Sequence, residues 1–271
     1  MSTPGRLSRA LPAMLRVGWK DALAYRGEFL VWMLSMTLPL IMLALFRAVA
    51  AEGAVGGFDG EAFTAYFLAG LTVRQLVSSW SIWEINRDIR EGTLSMRLLR
   101  PVHPLWSYLC DSLAAIPMRA AISLPIALVL LYSIDGSAGR ALARDPLTLA
   151  LFSLSLVQAF GIIFSICSAI GSLGLYFESA LGLWNIYIGL FSLLSGYLVP
   201  LSLFPRWFQH AARLTPFPYV HALPLEILLG RLPLHDIVCG VAVQSAWLVG
   251  SATVLLFVWQ RAQKRYAAFG G

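Results

Sequence analysis

The chain has 271 residues, of which 58% are hydrophobic and 13% charged, and its formal net charge is +6. A soluble domain carries about 25% charged residues, so this composition, with a mean hydropathy of +0.73, excludes an ordinary soluble fold and points to an integral membrane protein. The basic excess does not point to nucleic acid: all but Lys20 and Lys264 are arginines, mostly at the ends of apolar runs, where basic residues orient a chain in a bilayer.

The first element is expected over 6–25, where Leu7, Leu11, Met14, Leu15, Gly18, Ala22 and Tyr25 fall near one helical face and Arg9, Arg16 and Lys20 toward the other. That is an amphipathic helix lying on the membrane, with Trp19 at headgroup depth. The apolar run after Arg26 is too long for the core of a signal peptide, so none is expected. Six apolar runs follow, over 29–50, 63–83, 105–134, 147–175, 179–199 and 237–259, each able to cross a hydrocarbon layer of about 30 Å. The third is interrupted by Pro117 and Pro125. All are expected to be helices, because backbone exposed to lipid must satisfy its own hydrogen bonds.

Between the second and third runs lies a charged segment, 84–104, beginning EINRDIREGTLSMRLLRP. Ile85, Ile89, Gly92, Met96 and Leu99 recur at helical spacing through it. Gly92 suits a helix end and Thr93 the N-cap of a new short helix over about Leu94 to Leu99, which Pro101 stops. Leu94 and Leu98, flanked by Arg97 and Arg100, then form an apolar knob framed by charge. A helix on the membrane surface accounts for the arginines; a helix that docks into a protein groove accounts for the apolar row as well.

The segment 200–235 is too rich in proline to span and too apolar for an ordinary loop. It is expected to dip into the outer leaflet as two short helices, Pro205 to Leu214 and Val220 to Leu229. The first carries Trp207, Phe208, Ala211 and Leu214 on one side. With the N-terminus inside, the inner segments hold twelve arginines and lysines and the outer ones five, so both termini are expected in the cytoplasm.

Arg47 lies near the end of its run and can snorkel. Arg74 and Arg119 lie within their runs, so each is expected to face the bundle interior, either paired with a carbonyl or carboxylate or lining a substrate path. No carboxylate lies mid-run and no internal repeat is visible, which weighs against an ATP-independent secondary transporter or channel, the alternative reading. Cys110, Cys167 and Cys239 show no ligand or disulfide spacing and read as small buried residues. There is no GxxxxGK[ST] loop, HExxH or GxSxG. The chain is therefore expected to hold no ATP site, metal or other cofactor, and not to be an enzyme.

REGTLSMRLLRPVHPL, Arg90 to Leu105, resembles the E-G-T-L…L-x-x-P pattern of type-2 permeases of ATP-binding-cassette (ABC) exporters, the membrane subunits that work with a separate ATPase. Pro200, Pro205, Trp207, Pro216 and Tyr219 resemble the paired re-entrant elements before that family's last span. WKDALAYRGEFLVW, Trp19 to Trp32, resembles the opening of a branch of roughly 260–270-residue permeases whose members often act as unlike pairs. The resemblance implies an all-α membrane protein forming a single transmembrane domain over 1–271, in a bacterial inner membrane. It implies that Arg90, Glu91, Gly92, Thr93, Leu94, Arg97 and Leu98 form a coupling helix seated in the ATPase. It makes Arg74, Arg119 and Asn185 candidate pathway residues, and Trp207, Phe208 and Tyr219 a candidate outer gate. ATP and magnesium would sit on partner ATPases, two in number, and a second permease, like or unlike, would complete the pathway for a hydrophobic or amphipathic cargo.

Overall fold

The computed structural model describes residues 4–24, 37–134, 145–177 and 180–269, and among these it is helical, with no β-sheet. The helices are α1 (Pro4–Ala24), α2 (Thr37–Ala50), α3 (Gly60–Val77), α4 (Ser81–Arg90), α5 (Leu94–Leu98), α6 (Pro104–Ala114), α7 (Ile116–Ile134), α8 (Pro146–Ser172), α9 (Leu181–Leu194), α10 (Arg206–Arg213), α11 (Phe217–Val220), α12 (Ala222–Leu228) and α13 (Leu234–Phe269).

Among the described residues, three stretches are long and apolar enough to cross a membrane: Pro104–Leu130, Pro146–Leu175 and Leu234–Arg265. Two apolar helices are shorter, Thr37–Ala50 and Leu181–Leu194. Residues 29–36 of the expected first run and residue 179 of the fifth lie outside the described residues. Large apolar side chains stand on the outside of the bundle, among them Val129 of α7, Val157 of α8, Ile186 of α9 and Val249 and Phe257 of α13. An apolar belt of this extent is unstable in water and natural in lipid.

At the centre stands α3, capped by Asp59, whose carboxylate accepts from the Ala62 N–H at 2.8 Å. It is apolar nearly all round, as a helix enclosed by others must be: Phe63, Tyr66, Phe67, Leu71, Val73 and Val77 are all buried. The Tyr66 hydroxyl donates to the Gly196 carbonyl at 2.6 Å. Gly196 has φ +80°, and a Cβ there would lie 2.8 Å from that hydroxyl, so glycine is required twice over. It ends the fifth apolar run as a helix of 14 residues, about 21 Å long at 1.5 Å per residue.

The expected second span, 63–83, is two helices rather than one. The backbone turns extended at Ser78 (ψ 142°) and resumes as α4 at Ser81. Neither proline nor glycine marks this break. Hydroxyls sustain it: Ser79 meets Ser112 of α6 at 3.1 Å, and Ser168 of α8 donates to Ser81 at 2.9 Å. Polar partners of this kind make irregular backbone tolerable at membrane depth. In the third run the helix is interrupted at Ala115, just before Pro117, whose missing N–H falls harmlessly in the first turn of α7. Pro125 is carried inside α7 without ending it.

α1 lies against α6, with Gly18 as the close contact: a Cβ there would meet Ala114 at 3.0 Å and Asp111 at 3.1 Å. Leu11, Met14 and Gly18 turn inward while Arg16, Val17 and Lys20 are exposed. α8 and α13 pack along each other, joined by Gln158 donating to Ser245 at 2.9 Å. Gln244 donates to the carbonyls of Ser155 (2.9 Å) and Tyr219 (2.7 Å), tying α11 to both long helices. The short helix expected at 220–229 is α12; α11 is an additional turn before it, set off by a bend at His221 (φ −128°, ψ −58°). Cys110 and Cys167 are buried as expected of small apolar residues, whereas Cys239 is exposed on the first turns of α13.

Candidate functional site

The charged segment folds as α4, a turn and α5. Gly92 occupies φ +72°, the left-handed position that ends a helix, and the chain re-enters helix at Leu94. Thr93 does not cap α5. Its backbone is already helical, and its hydroxyl turns back to donate to Asp88 Oδ1 at 3.0 Å.

Asp88 is buried and gathers three donors. The Arg97 Nε meets it at 2.6 Å and the Tyr108 hydroxyl of α6 at 2.6 Å, besides Thr93. Arg97 also reaches Asp111 of α6 at 3.5 Å and lies over the Tyr108 ring at 4.6 Å. One buried carboxylate thus locks α5 to α4 and α6. Charge-assisted bonds of this kind are the strong ones, and each atom in the cluster depends on the others.

The apolar knob differs from expectation. Leu94 is 1% exposed and belongs to the buried cluster that holds Ile85, Leu105, Tyr108, Phe164 and Trp259, with Leu98 packed against it. Met96 (68%) and Leu99 (87%) are the apolar side chains presented to the outside, with Arg90, Glu91, Gly92 and Arg100 exposed around them. Gly92 resets the helical phase, so Leu94 rather than Met96 falls in line with Ile85. Leu94, Leu98 and Arg97 hold α5 from behind.

Glu84, on α4, is half-buried with its Oε2 shut away from solvent and without a hydrogen-bond partner. Burial, then the negative charge of Asp111, push its carboxyl up to about 8 against the pull of Arg97 and Arg87.

On the other side of the serine break is a cavity of about 350 Å3. Arg74, Arg119 and Asn185, from three separate runs, all line it. Arg74 sits in the last turn of α3 rather than mid-helix, its guanidinium over Phe191 at 4.7 Å and Tyr197 at 6.0 Å. Arg119 is 2% exposed; its Nη1 donates to the Ser78 carbonyl and, at 2.7 Å, to the Ser78 hydroxyl. It therefore clamps the backbone that the break frees. Trp184, Tyr187 and Phe191 of α9 form a stacked wall at helical spacing. Ser78, Phe191 and Tyr197 were not singled out from the sequence. Only their neighbourhood to the two arginines marks them.

Trp207, Phe208 and Tyr219 do not converge on this cavity. Phe208 stacks on Phe204 at 4.4 Å, with Trp207 edge-on at 5.7 Å and 71% exposed, while the Tyr219 hydroxyl donates to the Arg213 carbonyl at 3.1 Å. Of the face expected for α10, Phe208 turns inward, with Ala212 beside it, whereas Trp207, Ala211 and Leu214 are exposed. The Phe204 stack holds Phe208 inward.

A helical bundle with three membrane-length apolar stretches among the described residues, an apolar exterior and a charged helix held outside it defines a multi-pass membrane protein. Residues 31–270 match the family described as ABC-2 family transporter protein, and the chain belongs to that family, as an ABC-2 type permease. Permeases of this family generally pair with ABC ATPases, which gives the kind of partner. No curated protein matches the chain.

Proposed function

We propose that the chain is the permease subunit of an ATP-driven exporter in a bacterial inner membrane. In this reading it crosses six times with both termini in the cytoplasm, and 200–235 dips into the outer leaflet. It has no catalytic role of its own. ATP and magnesium bind two partner ATPases, and a second permease, like or unlike, faces it. The observation that carries the reading is α5: a five-residue helix with Met96 and Leu99 bare at its tip, a collar of Arg90, Glu91 and Arg100, and a buried ion pair tying it to α4 and α6. An ATPase groove that grips the tip moves α4 and α6 with it, because Asp88, Arg97 and Tyr108 leave no slack between them. The cargo is hydrophobic or amphipathic, in keeping with the aromatic wall of the cavity.

The test is purification of the tagged chain from its own host in mild detergent, beside a Met96→Asp/Leu99→Asp variant. An ABC ATPase is expected with the wild type and lost from the variant. A second permease in the same eluate would establish the pairing. Wild type without an ATPase, and indistinguishable from the variant, would refute the coupling role and favour an ATP-independent carrier or channel built around Arg74 and Arg119.

A further inference from the structure

We infer that the two-arginine cavity binds the oxyanionic head of an amphiphile, a phosphate, sulfonate or carboxylate on an apolar tail, with Arg74 as its uncommitted ligand and Arg119 behind it. The inference rests on the reading of this cavity as the transport path.

No aspartate or glutamate is among the described residues that line the cavity. Its two guanidinium groups stay charged at any physiological pH. Arg119 is 2% exposed and has given Nη1 to Ser78, but its Nε is buried with no partner. Arg74 makes no hydrogen bond or ion pair among the described residues; its guanidinium lies over the ring faces of Phe191 and Tyr197. Elsewhere in this chain a buried arginine is neutralised, as Arg97 is by Asp88 and Asp111. Two like charges sharing a low-dielectric pocket destabilise each other, and an anion between them relieves both. Guanidinium groups suit an oxyanion by geometry as well as charge.

A cationic ligand fits less well. Aromatic faces attract cations, but those of Phe191, Tyr197 and Trp80 are already occupied by the two arginines. A neutral apolar ligand would leave both charges unanswered. Leu38, Ile163 and Ile188 give the remaining volume an apolar lining for a tail.

Trp80, Trp83 and Trp184 line the cavity and report its occupancy. The full chain in maltoside detergent is titrated with dodecyl phosphate and, separately, dodecyltrimethylammonium, following tryptophan fluorescence. Dodecyl phosphate is expected to bind at least about tenfold tighter. Arg74→Gln is expected to weaken it about tenfold and Arg74→Lys to restore part of the loss. Equal or tighter binding of the cation, or an unchanged dodecyl phosphate affinity in Arg74→Gln, overturns the inference. The comparison of the two probes on wild type needs no variant, so it decides even if Arg74→Gln fails to fold. Native mass spectrometry separates the sources: a phospholipid retained by wild type and lost in Arg74→Gln makes the anion a resident lipid, whereas dodecyl phosphate binding to a lipid-free chain makes it a transported amphiphile. Either supports the site. None of these readings uses an ATPase, so a failure here leaves the coupling role standing, and a failure of the Met96→Asp/Leu99→Asp experiment leaves the anion selectivity standing.

Discussion

Two arginine clusters lie on opposite sides of the serine break, and they are built in opposite ways. Around Arg97 every charge is answered: Asp88 and Asp111 face it and Tyr108 covers it. Around Arg74 and Arg119 no described carboxylate lines the cavity, and aromatic faces take its place. The same residue type therefore serves as a fastener in one region and as an open receptor in the other. Neutralisation, more than burial, tells them apart.

The strongest way to break the contrast is Asp88→Ala. It strands Arg97 and the Tyr108 hydroxyl together, and breaking a buried pair costs about 3–5 kcal/mol. Thermal unfolding in detergent should show the largest drop of any single substitution considered, with loss of ATPase attachment. Leu94→Ala should follow, at about 2–4 kcal/mol for a buried leucine, while Met96→Ala should leave the melting temperature within error and weaken only attachment. Third, Arg119→Gln should cost about 1–3 kcal/mol, because the Ser78 carbonyl loses its donor. Arg74→Gln should cost almost nothing, and a large loss there would mean that Arg74 is a fastener too.

A pH dependence tests the Arg97 side of the break independently of these substitutions. Glu84 has a folded-state carboxyl near 8 against about 4.5 when unfolded. Below about 4.5 it is protonated in both states and contributes no difference. Between about 4.5 and 8 only the unfolded chain gives up the proton, so stability declines as pH rises, and it levels off above 8. Glu84→Gln should flatten that slope, and the two melting curves should part progressively from about pH 5 to pH 8. Parallel curves would show that Glu84 titrates as an ordinary carboxylate.

Much of this was legible in the sequence, for stated reasons. Gly92 marks a helix end because its φ of +72° suits no other residue well. Arg74 and Arg119 stand out because a guanidinium inside an apolar run must face something other than lipid. Their meeting in one cavity was not legible, because it depends on a break at Ser78 that carries no proline or glycine. At α5 the flanking arginines pointed to Leu94 and Leu98 as the exposed knob, but the turn at Gly92 changes the helical phase, burying Leu94 and baring Met96 and Leu99. At α10, a helix of eight residues was too short for its period to show that Phe208 turns inward and Trp207, expected on the same side, does not.

The serine break also has a mechanical reading. Beyond it α4 is a straight rod of ten residues, about 15 Å from pivot to tip at 1.5 Å per residue. Its fulcrum is a chain of hydroxyls, Ser112 to Ser79 to Ser81 to Ser168. A swing of about 10° there carries the far end by about 2.6 Å over that lever arm. The rod's near end lies beside Arg119's grip on Ser78, so the cavity wall is also the hinge plate.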